Sequence, residues 1–249
     1  MVGNRQAGFT IIEISLFMAI TGLLFLIAVA GTGNVIATYR FNDTARSLEA
    51  FAQKQYDDIV NGLNNRTSSV SCNSGVINTG ASQTVGSSNC LLMGKLIVFR
   101  LHSSTADIYN VIGSEPSNVD YSQSDNTLIS AFQPTAVTTT ATSTYELPWG
   151  AQMSGFKRTS DNTGTNGLLL IRSPKSSSVL SYTFIVPASV PSSLSTVVND
   201  ANALLKTTNF CFEQAEGGSQ QARLQITSLS TQEAAKVLFN AQPTECDGV

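Results

Sequence analysis

The sequence predicts an α+β protein in which one long N-terminal helix, membrane-spanning in its first half and amphipathic in its second, packs on a β-rich globular head. Three observations carry that expectation. The 24 residues from Ile14 to Ala37 contain no charged side chain. Beyond them Phe41, Ala45, Leu48, Ala52, Tyr56, Ile59 and Leu63 recur at spacings of three and four, which lines one face of a helix. From Thr67 onward the chain is rich in Ser, Thr, Gly and Asn, and its apolar residues shift toward a period of two. A length of 249 residues is enough to bury a substantial core.

At about 1.5 Å per residue the uncharged run is roughly 36 Å long as a helix, more than the ~30 Å hydrocarbon core of a bilayer. Met1 to Gly8 and the short stretch Phe9 to Glu13 precede it. Arg5 and the α-amine supply their positive charge, which predicts a cytoplasmic N-terminus and an exported bulk. A second processing route competes: Ala28-Val29-Ala30 forms an A-x-A-like signal cleavage site, and the protein would then be secreted after a cut behind Ala30. Against it, the 17 residues from Ile14 to Ala30 exceed the ~7 to 15 of a usual signal core. That route also leaves unexplained the carboxylate of Glu13 at the head of the run.

Gly8-Phe9-Thr10-Ile11-Ile12-Glu13, followed by a long apolar run containing Thr21-Gly22-Leu23-Leu24, resembles the prepilin signature of type IV pilins and type II secretion pseudopilins. The similarity covers about 30 residues. It implies a pilin-like fold and a dedicated prepilin peptidase and methyltransferase that cuts between Gly8 and Phe9, methylates Phe9 and leaves the apolar helix in place. It also implies that Glu13 is the assembly residue, its carboxylate pairing with the N-terminal amine of Phe9 on a neighbouring subunit. The chain then divides into a leader (1–8), a transmembrane and assembly helix (9–37), an amphipathic helix continuing into the head (38–65) and a β-rich extracytoplasmic head (66–249). One departure concerns the late apolar run, where many pilins carry a proline and this chain has Ala30, Gly31 and Gly33. Loosening of the helix there would rest on the glycines, each worth up to about 1 kcal/mol relative to alanine.

If Phe9 to Asn65 forms one helix of 57 residues, it is about 85 Å long. Between its apolar positions lie Arg40, Asp43, Arg46, Glu49, Lys54, Asp57 and Asp58, read as a solvated face of mixed sign. Six stretches then read as strands, being β-branched or aromatic and bounded by turn formers: Gly94–Leu101, Ala106–Ile112, Gly167–Arg172, Val179–Val186, Phe210–Glu213 and Ala222–Thr227. Glu216-Gly217-Gly218-Ser219 reads as a hairpin connection and Ser195–Lys206 as a short helix; Ser230–Asn240 reads either as a helix with a Ser-x-x-Glu cap or as an edge strand, with Lys236–Phe239 favoured as strand. Thr135 to Thr144 is low in complexity and reads as a loop or exposed edge. Cys90 to Phe99, Phe210-Cys211-Phe212 and Ala222 to Ile226 are similar to strand patterns of H-type minor pseudopilins, which implies a minor subunit.

Four cysteines at wide spacing argue against a zinc ribbon or a thioredoxin-type pair. Of three possible pairings, Cys72–Cys90 and Cys211–Cys246 are preferred, the first bracketing a Ser/Gly/Asn-rich loop and the second tying the tail to a strand. Four reduced thiols are the alternative. Disulfides would place the head outside the cytoplasm.

No residue set suggests catalysis, a cofactor or a metal centre. His102, the single histidine, has no cysteine or carboxylate at relay or ligand spacing. Asp57-Asp58 reads as solvated surface, and Asp120, Asp125 and Asn126 lack an EF-hand pattern. Tyr145 and Trp149 flank Pro148 and read as core packing before an adhesive platform. With a net charge of −3 and no dense basic cluster, nucleic acid is not a default partner. Three functions remain: a filament subunit of pilus or pseudopilus, a membrane-anchored or tip-located adhesin or DNA-binding pilin, and a secreted protein. The first implies as partners other subunits, membrane lipid before assembly, an assembly platform and an ATPase. It implies a location in the cytoplasmic membrane and then in an extracellular or periplasmic filament.

Overall fold

A computed structural model describes residues 10–62, 70–73, 76–79, 90–138, 141–157, 165–200, 203, 207–214, 220–227 and 235–239 of the chain. A helix, α1 (Ile11–Val60), runs unbroken for 50 residues, about 75 Å. It is shorter than the expected Phe9–Asn65, and both ends have local causes. Thr10 caps its start, and at its end Gly62 takes φ +66°, the left-handed conformation that terminates helices and that glycine adopts without strain.

The head is antiparallel β throughout its described pairings. A hairpin of β1 (Val70–Asn73) and β2 (Val76–Thr79) is fastened by the disulfide Cys72–Cys90 to the start of β3 (Cys90–Arg100). The large sheet is built on β3, with β4 (Thr105–Ser114) on one side and β8 (Thr165–Arg172) then β9 (Val179–Val186) on the other. Two short strands, β5 (Thr135–Ala136) and β6 (Ser143–Glu146), pair with β4, so the Thr-rich stretch is in part an edge of this sheet. The smaller sheet runs β12 (Ala235–Phe239), β11 (Gln221–Thr227), β10 (Thr207–Gln214), β7 (Ala151–Lys157). Two short helices, α2 (Asp125–Ala131) and α3 (Ser195–Asn199), complete the head. Helix α3 stops well before the expected Lys206: Asp200 is already in an extended conformation. The hairpin residues Glu216 to Ser219 lie outside the described residues, although β10 and β11 pair antiparallel on either side of them.

Alternation along β3 explains why its sequence reads as almost continuously apolar. Ile97 and Phe99 face α1 and the smaller sheet, in a core with Leu48, Phe156, Phe210, Phe212 and Leu224. Leu96 and Val98 face the other way, into a core with Ile129, Phe132, Tyr182 and Val198 beneath α2 and α3. Both faces are covered, so both are apolar. Gly94 sits where β3 is bulged, the register against β4 shifting between Leu92 and Gly94. A Cβ there would collide with the Leu170 carbonyl oxygen and reach within 2.8 Å of Ile171 Cα, so only glycine permits this approach of β3 to β8.

Candidate assembly helix and its anchorage

Among the described residues, the first half of α1, from Ile11 to Ile36, is left uncovered by the head. Its apolar side chains, among them Ile11, Phe17, Leu24, Phe25 and Ile36, are exposed. Its hydroxyls bond inward, Ser15 to the Ile12 carbonyl at 2.9 Å, Thr21 to Phe17 at 2.8 Å and Thr32 to Val29 at 3.0 Å. A surface with its few donors satisfied by its own backbone suits hydrocarbon. By length and composition this helix can cross a membrane.

Glu13 closes a capping box. Its carboxylate accepts from the Thr10 backbone N–H and hydroxyl, both at 3.0 Å, and its own N–H donates to Thr10 Oγ1 at 3.3 Å. Thr-Ile-Ile-Glu ahead of an apolar run is the sequence form of that motif, a signal that the reading of Glu13 as an assembly residue alone passes over. Gly8 and Phe9 lie outside the described residues.

The second half of α1 is held on the head at three levels. Lowest, the 3₁₀ turn Pro148–Gly150 grips it: Thr44 Oγ1 donates to the Pro148 carbonyl at 3.0 Å, and Trp149 Nε1 to Asp43 at 2.8 Å. The Arg40 guanidinium lies 5.0 Å from the centre of the Trp149 ring, a cation–π contact. Phe41 meets Phe212 at this same level; at mid-height Tyr145 stacks on Phe51 at 4.0 Å between ring centres and its hydroxyl donates to Ser47 at 3.0 Å. Burial raises the Tyr145 pKa, with the Ser47 hydrogen bond opposing it, so the hydroxyl stays protonated and donates. Highest, Lys95 of β3 reaches Asp58 at 2.6 Å and Gln55 at 2.7 Å on α1, an ion pair with both side chains largely buried. Tyr145 and Trp149 thus anchor the helix. Asp58 corrects the expectation of a solvated Asp57-Asp58 surface: Asp57 is exposed, but its neighbour faces the head and neutralises a buried lysine.

The far end of the head, where β3 begins and β4 and β8 end, carries a cleft of about 300 Å³ lined by Leu91, Met93, Glu115, Tyr121, Phe132 and Arg172 among others. Its rim is tied together. Asp125 accepts hydrogen bonds from Ser173 and Ser176, and Lys175 Nζ donates to the Gln123 carbonyl at 3.0 Å. Asp120 accepts from Ser122 and Gln123, which lowers its pKa to about 2. Asn126 Oδ1 accepts from Tyr182 at 2.8 Å. Asp120, Asp125 and Asn126 thus each accept from donor residues of their own, two for each aspartate and one for Asn126. Among the described residues no group of three His, Cys, Asp or Glu is arranged to hold a metal ion. His102 is exposed in a turn at φ 56°.

The Cys72–Cys90 bond is present as expected. Cys211 is also disulfide-bonded, while its expected partner Cys246 lies outside the described residues. Compared with protein-family models, with curated proteins and with solved structures, the chain finds no match in any of the three.

Proposed function

We propose that this chain is a structural subunit, of the minor kind, of a type IV pilus or pseudopilus. It inserts with its N-terminus in the cytoplasm, is cut after Gly8 and methylated at Phe9, rests in the cytoplasmic membrane, and is drawn by an ATPase-driven platform into a filament whose core is a bundle of Phe9–Ala37 helices. The head adds no catalysis and needs no cofactor in this reading. The observation that carries it is the exposed half of α1. An apolar helix continuous with a rigidly docked one holds the head at a fixed distance from whatever surrounds its other end, first lipid and then copies of itself. A carboxylate near a bilayer is disfavoured by up to about 2.5 to 3.5 kcal/mol at mid-depth and less at the interface, which favours a paired partner for Glu13. In the separate subunit Thr10 fills part of that role; in the filament the amine of Phe9 on a neighbour supplies the charge.

Glu13 therefore has two separable tasks, and two substitutions divide them. Glu13→Gln keeps a residue able to complete a capping box but removes the charge. It is expected to insert normally and to be depleted from sheared filaments. Thr10→Ala removes the cap, worth about 1 kcal/mol, and is expected to leave the filament fraction near wild type. Normal filaments from Glu13→Gln would contradict the charge-pairing role. A tip-located binding subunit is the second reading, favoured by the distal cleft, whose Arg172 makes no side-chain hydrogen bond or ion pair among the described residues. Scarcity in sheared filaments and retention at one end would support it.

A further inference from the structure

The uncharged run ends at Ala37, and the head begins at the next turn. Three large aromatic side chains stand exposed at that level: Tyr39 on α1 at 71%, Trp149 at 55% and Phe239 at the end of β12 at 44%. Trp149 lies against Arg40 and Asp43, and the Pro148 carbonyl before it accepts from Thr44. Phe239 lines a cleft of about 220 Å³ with Thr38, Phe41 and Asn42, which Gln220 closes by donating to Thr38 at 2.9 Å. At about 100° per residue these two sets of helix positions lie on roughly opposite sides of α1, with Tyr39 between them. The rings therefore stand on both flanks of the helix and between them, where it leaves the head.

Trp149 is held outward at a cost. Its backbone occupies φ 59°, unusual for a bulky residue, and its indole N–H and ring face are both occupied by groups from α1. A tryptophan fixed in this way keeps its polar edge satisfied and offers its apolar edge to whatever lies beneath the head. The headgroup layer of a bilayer is roughly 5 to 8 Å deep on each side of the hydrocarbon. With the run to Ala37 filling the hydrocarbon, positions 38 to 43 rise through that layer at about 1.5 Å each. Amphipathic rings concentrate at this depth, and an exposed arginine beside them suits lipid phosphate.

From this juxtaposition we propose that the base of the head is a membrane-interface collar: Tyr39, Trp149 and Phe239 seat in the headgroup layer of the outer face of the bilayer, and Arg40 faces lipid phosphate. The inference rests on the membrane-spanning reading of α1 and adds to it a defined depth and a parked orientation of the head before assembly. Extraction into a filament then breaks the ring–lipid contacts as well as withdrawing the helix.

Trp149 is the single tryptophan of the chain, so its fluorescence reports the collar without labelling. The full-length protein is reconstituted in phosphatidylcholine–phosphatidylglycerol vesicles, unlabelled or brominated near the head or near the end of the acyl chain. A second form carries Trp149→Phe with Leu91→Trp and reports the distal end. The collar predicts that the protein floats with the vesicles, that lipid brominated near the head quenches Trp149 more than lipid brominated near the chain end, and that acrylamide quenches it at least about threefold less than the distal reporter. Flotation with equal acrylamide access at both positions and no quenching by brominated lipid overturns the collar and leaves the spanning helix intact. Protection of Trp149 in assembled filaments alone also overturns it, in favour of a contact between subunits. Failure to float removes the spanning reading and the collar with it.

Discussion

The residues Ile11–Ala37 and Thr38–Val60 belong to one helix, yet they are stabilised by different surroundings. In the second half Phe41, Ala45, Leu48, Phe51, Ala52 and Ile59 form a buried stripe, and polar residues occupy most of the rest. Its helicity comes from packing on two sheets, with polar ties at three levels fixing rotation and height. The first half is apolar nearly all round and is left uncovered by the described residues of the head, a surface that suits surroundings outside the chain. The same secondary structure is a docking element at one end and an unpartnered surface at the other. Where the one becomes the other, at residues 38 to 44, the chain places its single tryptophan, an arginine and an aspartate.

Substitutions on the two halves should therefore differ most in what they do to the head. Phe212→Ala removes a fully buried ring that meets Phe41, and should cost about 3 to 5 kcal/mol in urea unfolding of the detergent-solubilised protein followed by Trp149 emission. Phe17→Ala, in the exposed half, should leave that unfolding curve unchanged. Equal losses would erase the distinction between the halves.

Charge substitutions sharpen it at the next level. Lys95→Met strands Asp58 against the head with its cation gone, and a loss approaching 3 kcal/mol is expected, since the two side chains are only 10% and 15% exposed. Arg100→Met breaks a pair of the same length to Asp107, but the arginine is 45% exposed and the expected loss is within about 1 kcal/mol. The same unfolding measurement ranks them; a larger loss at Arg100 would show that burial does not set their worth.

The smallest effect is one of pH. Burial raises the Tyr182 pKa well above its ordinary 10.0. A group whose folded pKa is raised stabilises fully below its unfolded pKa, and that contribution is lost as pH rises beyond it. Head stability should fall above pH 10, less steeply in Tyr182→Phe. An identical alkaline limb in both proteins would assign the loss elsewhere. The lowered pKa of Asp120 acts oppositely, its loop contacts persisting in acid until pH falls toward about 2.

How much of this was legible in the sequence depends on where the information sits. The apolar runs of β3, β8 and β9 declare themselves because both faces of the large sheet are covered. Strand β7, Ala-Gln-Met-Ser-Gly-Phe-Lys, has no such run; it is a strand because β10 pairs with it, which no local pattern records. Helix α2 was missed although Ser124 is a good N-cap and accepts from Thr127 N–H, since seven residues give too little periodicity to stand out. Asp57 and Asp58 are alike in sequence, and only the position of Lys95 separates them. The capping box at Thr10 and Glu13 has a sequence form that was passed over, and it points to a contact within the chain, whereas the pairing inferred for Glu13 lies between chains.

The central claim is that the exposed half of α1 stays on the working protein. Intact mass of the mature chain, purified from the membrane or from filaments, tests it directly. The account predicts loss of residues 1–8 and gain of one methyl group at Phe9, with Gly8→Val leaving the leader in place. A mature chain beginning at Gly31 would have discarded that half of the helix and would contradict the account.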